Sequence, residues 1–393
     1  MINCRHGLML VGPSYGAKTT CYKVLAKSIS YVAKYDPMVG ELPVDHYIIN
    51  PKSISLSQLY GSFDPISHDF SDGVLGQIFR RCAYKDVGSS RRWIIFDGPV
   101  DAEWIENMNT VLDDNKKLCL MNGEVIMMND QMNLIFETHD LSQASPATVS
   151  RCGMVYLQPE NIGRSSLLQS WIEKIKEKTK GSQGEMLDPV FIKRFEDLFD
   201  VFFEQAYSFL KKKCHTYIPV AEVQLSVSLM KIFESLLTNP EFLDFCYNPK
   251  MKVDDINNKI DMYFLFSLVW SVGAISDDLG QKAFSQFLRK ITADVYKLKN
   301  NKNFKLDKLS QIPDGGHIVQ NYFIEEQRWI SWKDILDKQD YSQNFDPSLT
   351  YHELIVPTTE NLKHSYILNM CIKNSIPLLF VGPTGTGKSV SIQ

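Results

Sequence analysis

The sequence lacks several features that would narrow its class at once. None of its eight cysteines (Cys4, Cys21, Cys82, Cys119, Cys152, Cys214, Cys246, Cys371) forms a C-x-x-C pair, which removes the commonest zinc and redox spacings. Reduced, mostly buried thiols of a cytosolic protein are the expectation. There is no surplus of positive charge: 42 Lys and Arg face 46 Asp and Glu, a net −4. That balance argues against nucleic acid as the main partner. The longest apolar run, Met262 to Ile275, is too short to cross a membrane and contains Ser267 and Ser271, so it reads as a core helix and no membrane is expected. A signal peptide is not expected either, because Arg5 and His6 interrupt the N-terminal segment. What remains, 44% hydrophobic and 22% charged over 393 residues, is an ordinary globular composition with room for two or three domains.

Against these absences stands a phosphate-binding loop that occurs twice. Gly382-Pro383-Thr384-Gly385-Thr386-Gly387-Lys388-Ser389 fits the G-x-x-x-x-G-K-[ST] pattern in full. Gly12-Pro13-Ser14-Tyr15-Gly16-Ala17-Lys18-Thr19, followed by Thr20, fits it except that Ala17 replaces the last glycine. Each follows an apolar run, Leu8 to Val11 and Leu378 to Val381, that reads as a buried strand. A strand that enters such a loop and leaves as a helix aims backbone N–H groups at a phosphate, and the lysine adds charge. Lys18 and Thr19 supply the phosphate charge and the Mg²⁺-ligating hydroxyl; Lys388 and Ser389 do so in the second copy. Ala17 carries a cost of about 1–2 kcal/mol if its position needs positive φ. The bland alternative is a strand–helix turn that binds nothing.

Residues 1–162 alternate strand and helix: a helix from Thr20 to Tyr35, strands at Tyr47–Ile49, Trp93–Phe96 and Leu134–Phe136, and helices at Leu75–Cys82 and Glu103–Leu112. This order predicts an α/β fold with a mainly parallel sheet covered on both faces. Asn122-Gly123, between two apolar runs, predicts a hairpin with a type I′ turn. Residues 163–305 change to helical periodicity, punctuated by Pro189, Pro219 and Pro240. Phe195, Phe199, Phe202, Phe203 and Phe209 read as the packing of a helical bundle. Residues 306–393 begin polar and loop-rich, then return to a sheet pattern from Tyr351, with an extended Leu354–Pro357 and a helix around Glu360–Ile372. The layout is an α/β core, a helical lid, a linker and the incomplete start of another α/β core.

An acidic residue ending a buried strand should complete the phosphate site by organising the Mg²⁺ shell, and Asp97 is placed for this. A simple turn aspartate before Gly98-Pro99 is the alternative. Hydrolysing sites of this kind place a glutamate next, as the base that activates water; Gly98 has no side chain to do so. Asp101 and Glu103 stand nearby without being pointed to by the pattern. The first site therefore reads as built to bind and not to cut.

Taken together, the two loops and the lid between them resemble the AAA+ ATPase modules, and more closely the dynein heavy chains of axonemal type. The runs Phe96-Asp97-Gly98-Pro99-Val100-Asp101, Trp104 to Asn109, Val111 to Asn115 and Ser145 to Met154 look like that family's second module, and Leu354 to Gln393 like the opening of its third. The resemblance implies that Lys18, Thr19 and Asp97 are the Walker A lysine and hydroxyl and the Walker B aspartate. It implies that Arg151 is an arginine finger reaching into the preceding module, and that the Asn122-Gly123 hairpin meets the motor's linker. A sensor asparagine is expected after Leu134-Ile135-Phe136, where only His139-Asp140 stands nearby. The implied setting is cytoplasmic, in the ciliary axoneme. The implied partners are other AAA+ modules and the linker of the ring, with intermediate and light chains and microtubules reached through a longer motor. A standalone AAA+ ATPase and a non-binding structural remnant stay open as alternatives.

Overall fold

In the computed structural model the described residues are 2–84, 88–180, 188–294, 306–307, 310–313, 318–325, 328–338, 358–389 and 392. The chain divides into two compact units, Met1–Gly163 and Arg164–Gln393.

In the first unit the strands are β1 (Gly7–Val11), β2 (Val44–Ile49), β3 (Gly61–Phe63), β4 (Phe70–Asp72), β5 (Arg91–Asp97), β6 (Lys117–Cys119), β7 (Val125–Met127), β8 (Met132–Thr138) and β9 (Gly153–Tyr156). The helices are α1 (Lys18–Tyr35), α2 (Leu56–Tyr60), α3 (Val74–Tyr84), α4 (Ala102–Ile105), α5 (Asn109–Leu112) and α6 (Pro146–Arg151); α7 (Pro159–Lys178) begins here and continues into the second unit, where Trp171 and Ile175 join its core. Five strands form the sheet in the order β2-β5-β8-β1-β9, each pairing parallel. The α/β expectation holds. The middle strand, β8, is buried at every residue, as a parallel strand covered on both faces must be. Alternation divides the core. Leu8, Leu10, Trp93, Ile95 and Ile135 pack with Tyr22 and Ala26 of α1. Met9, Val11, Ile94, Phe96, Leu134 and Phe136 pack on the other face with Leu75, Phe79 and Trp104. There the rings of Phe96 and Phe136 stack at 5.0 Å.

Two local expectations change. The helix expected over Glu103–Leu112 is broken into α4, a 3₁₀ turn at Glu106–Met108, and α5. The β6–β7 hairpin exists, but its turn is not type I′. Leu120 N donates to Glu124 O and Gly123 N to Leu120 O, and Gly123 alone takes a positive φ, of 86°. That is a three-residue loop closed by a left-handed glycine, and it keeps Leu118 and Ile126 fully buried.

The second unit is helical: α8 (Pro189–Leu198), α9 (Glu204–Lys213), α10 (Glu222–Leu237), α11 (Pro240–Cys246), α12 (Val253–Leu268) and α13 (Asp278–Ala293). Pro189 and Pro240 open their helices behind the caps Asp188 and Asn239, where a missing N–H costs nothing. Phe195, Phe199, Phe202 and Phe203 are fully buried, and Phe233 meets Phe195 and Phe264 edge to face. The aromatics are packing, as read. A hairpin of β10 (Tyr322–Glu325) and β11 (Arg328–Ser331), then α14 (Trp332–Lys338), stand in a stretch expected to be loop. The cause is Phe323, whose ring stacks at 4.3 Å on the buried Trp332. α15 (Thr359–Lys373) follows. The segment Leu354–Pro357, expected to be extended, lies outside the described residues. Leu378–Val381 is not a strand: Leu379 and Val381 are 85% and 84% exposed, with no strand beside them among the described residues. A parallel strand needs neighbours to satisfy its backbone. All eight cysteines are free, but only Cys82, Cys152 and Cys371 are buried, so the expectation of mostly buried thiols is corrected.

Candidate functional site

The first phosphate loop leaves the carboxyl end of β1 and enters α1 at Lys18. Two strand ends seat it: Gly12 N donates to Thr138 O at 3.2 Å, and Leu157 N donates to Val11 O at 2.8 Å. The Leu157 carbonyl explains both glycines. A Cβ at Gly12 would lie 2.1 Å from it, and one at Gly16 2.5 Å. Between them Pro13 is half-buried and Ser14 exposed.

Tyr15 and Ala17 both adopt left-handed backbone, with φ of 67° and 58°. The corresponding residues of the second loop, Gly385 and Gly387, have φ of 87° and 73°. The two loops therefore share left-handed backbone at these two positions, and the first holds it with two residues that resist it. Lys18 Nζ donates to Gly12 O at 2.6 Å and Pro13 O at 3.0 Å. Lys388 does likewise to Gly382 O at 2.8 Å and Pro383 O at 2.6 Å. Thr20 is exposed on α1.

The carboxylate that meets Thr19 is not Asp97. Thr19 Oγ1 donates to Glu137 Oε1 at 2.5 Å, while Asp97 is exposed at the end of β5. Register accounts for this. Glu137 pairs with Leu10 on one side and Asp97 on the other, so it lies one strand from the loop and Asp97 lies two. Glu137 is 9% exposed, and its Oε2 is a buried oxygen without a hydrogen-bond partner among the described residues. Burial raises the phenol of Tyr22, and the nearby Glu137 and Asp97 carboxylates raise it further. Sequence reasoning passed over Glu137, although a charged residue directly after Leu134-Ile135-Phe136 was the available signal. His139 and Asp140 are exposed instead. They form a turn whose aspartate is held down to about 2 by hydrogen bonds from Ser142.

Gly98, the residue after Asp97, brings no side chain that could act as a base. A Cβ there would meet Asn50 Oδ1 at 3.0 Å. Lys52 Nζ binds Asp101 Oδ2 at 2.5 Å and Glu103 at 3.3 Å, while Asp101 Oδ1 is buried without a hydrogen-bond partner among the described residues.

Arg151 lies at the other end of the sheet. It ends α6 just before β9, whose Gly153 pairs with Leu8 near the start of β1. Its Nε donates to the Asp113 carboxylate and one terminal nitrogen donates to Ala147 O. A polar cavity of about 890 Å³ opens at this end, lined by Arg5, His6, Arg91, Asp114, Lys116 and Asn133 among others.

Three families match successive parts of the chain: the AAA domain (dynein-related subfamily) over residues 7–152, the dynein heavy chain AAA lid domain over 195–334, and the P-loop containing dynein motor region over 343–393. The chain belongs to the dynein heavy-chain family. Human dynein axonemal heavy chain 3 is 39% identical over 99% of the chain and 9% of its own length. Rat dynein axonemal heavy chain 12 is 38% identical over 100% and 12%, and mouse dynein axonemal heavy chain 1 is 38% identical over 99% and 9%. The chain thus spans about a tenth of the relatives it matches. Within this dynein sequence the first loop sits on a complete five-stranded sheet. Gly382, Gly387, Lys388 and Ser389 form a loop with no strand beneath it among the described residues. No described helix is long and apolar enough to cross a membrane.

Proposed function

We propose that residues 1–162 are the nucleotide core of the second AAA+ module of an axonemal dynein heavy chain, with 163–305 its helical lid and 306–393 leading into the third module. The core holds ATP–Mg²⁺ and does not hydrolyse it. The observation that carries this reading is a formed phosphate loop in which Gly98, where a hydrolysing site places its glutamate, has no side chain, while Lys52 pairs with both Asp101 and Glu103 beyond it.

The residues present suit a magnesium nucleotide. Gly12 and Gly16 allow the loop to close on Leu157, and backbone N–H groups at the start of α1 suit phosphate oxygens. Lys18, now on the loop carbonyls Gly12 O and Pro13 O, would hold a phosphate, and the Thr19 hydroxyl would hold the cation. Asp97 stands at the mouth. Bound magnesium supplies charge neutralisation between the phosphates. The second loop, through Lys388 and Ser389, is the corresponding element of the next module.

Arg151 serves a different nucleotide. The first loop lies at the carboxyl ends of the strands and Arg151 at the amino ends, so it cannot turn to its own site. Displayed from the far end, with Asp113 holding its guanidinium, it suits the phosphates of a preceding module. The partners in this reading are the neighbouring modules and linker of a ring in the ciliary axoneme, with microtubules and intermediate or light chains reached through the longer motor.

Equilibrium binding of ATP with Mg²⁺, measured for the chain and for Lys18→Ala after a check of folding, tests the reading. Binding that is lost in the variant is expected. A folded wild-type chain without ATP affinity would leave a structural remnant, and turnover dependent on Lys18 would make the module an enzyme in its own right.

A further inference from the structure

Three observations converge beneath the first phosphate loop. The Thr19 hydroxyl spends its proton on Glu137 Oε1, at 2.5 Å. A hydroxyl that donates to a carboxylate turns its lone pairs outward, the orientation a cation requires. The second oxygen of that carboxylate, Oε2, is buried and makes no hydrogen bond among the described residues. An ionised oxygen removed from water and left without a partner is costly, and a cation or its bound water relieves it. Leu10, Glu137 and Asp97 also share one register row and therefore one face of the sheet, the face covered by α1. In that row Glu137 is one strand spacing from the loop strand, about 4.8 Å, and Asp97 is two. The longer glutamate side chain also starts from the nearer strand.

We infer that Glu137 is the carboxylate that organises the divalent cation at this loop, and that Asp97, exposed at the rim, has the lesser part. This rests on the reading of the loop as a nucleotide site and adds a residue to it. The consequence is a strict coupling between metal and nucleotide. Without a cation, a buried carboxylate beside Thr19 faces phosphate oxygens of its own sign and opposes binding. With a cation between them the same charge becomes a ligand.

A structural role for Glu137 would weaken binding uniformly, whereas this role has two effects of opposite sign. The test is a titration of the full chain with a fluorescent ATP analogue, at a series of free Mg²⁺ concentrations and in EDTA. Direct Mn²⁺ binding in the presence of ATP, read by electron paramagnetic resonance, accompanies it. Glu137→Gln is expected to raise the half-saturating Mg²⁺ and the Mn²⁺ dissociation constant about tenfold, while ATP binding in EDTA strengthens. Asp97→Asn is expected to shift both by less. Glu137→Asp keeps the charge but withdraws it by one methylene, and is expected to fall between wild type and Glu137→Gln. This second variant covers the case in which Glu137→Gln fails to fold. An unchanged Mg²⁺ midpoint in Glu137→Gln or Glu137→Asp, or a larger shift in Asp97→Asn, would overturn the inference and leave nucleotide binding intact. A folded wild-type chain that binds no ATP at any Mg²⁺ concentration would overturn the nucleotide reading itself, and this inference with it.

Discussion

Ala17 tests the loop geometry in isolation. At φ 58° and ψ 28° it holds left-handed backbone as the residue before α1, and its methyl caps nothing. Left-handed backbone costs an L-residue about 1–2 kcal/mol, which Ala17→Gly removes. Against that gain, glycine widens the unfolded ensemble, a loss of about 0.4–1 kcal/mol. The net expectation is a stabilisation of the first unit by about 0.5–1 kcal/mol. For a unit of this size that raises Tm by about 1–4 °C. Hydrogen exchange of the β1, β5 and β8 amides reports the opening of this unit apart from the helical one. Ala26→Gly, at a buried position inside α1, is the control and should destabilise by about 1 kcal/mol or more. If Ala17→Gly destabilised to a similar extent, Ala17 would not be left-handed and the likeness of the two loops would fail.

The other predictions concern neighbouring features. Gly16→Ala drives a methyl against the Leu157 carbonyl at 2.5 Å, so a loss of about 1–3 kcal/mol together with loss of ATP binding is expected; a stable, binding variant would refute the close approach. In the second unit Asp261 is fully buried, and burial pushes its carboxyl up to about 6 despite hydrogen bonds from Arg194 at 2.8 and 2.6 Å. The folded state therefore holds this proton more tightly than the unfolded state, whose aspartate titrates near 4. The stability contributed by the protonated form is full below about 4 and is lost as pH rises through about 6. Urea melts should show wild type losing about 2–3 kcal/mol relative to Asp261→Asn between those limits; parallel curves would refute it. Leu379→Ser with Val381→Ser should reduce concentration-dependent association in size-exclusion chromatography, because both side chains are almost fully exposed. Unchanged behaviour would mean that those residues are covered.

A shortening of the chain at residue 345 would be the wrong instrument for that last test, and the reason shows where sequence reading stops. α15 buries Met370 and Cys371 in a cluster with Phe266, Phe323 and Trp332, so the segment is part of the second unit's core and not only a prelude to another sheet. Nothing local in the sequence announces that contact. The parallel sheet was legible because Leu8–Val11, Trp93–Phe96 and Leu134–Phe136 are apolar runs bounded by turn residues, and burial on both faces demands such runs. The loop was legible because its glycines are fixed by the near approach of Leu157. Leu378–Val381 carries the same local signal and is not a strand, because pairing is decided by neighbours and not by the run itself. Glu137 was missed for a related reason. Its role depends on the strand order β5-β8-β1, which sets a residue of the intervening strand between the loop and Asp97. The turn at Gly123 differed from a type I′ turn because Asn122 keeps negative φ, and its side chain instead accepts from Glu124 N at 3.0 Å.

The central claim is a site that holds ATP without cutting it. The direct measurement is the identity of the nucleotide recovered from the chain after incubation with ATP and Mg²⁺, rapid removal of free nucleotide and denaturation. Intact ATP in near-stoichiometric amount from wild type, and none from Lys18→Ala, is the predicted result. ADP with released phosphate, formed by wild type but not by Lys18→Ala, would contradict the account.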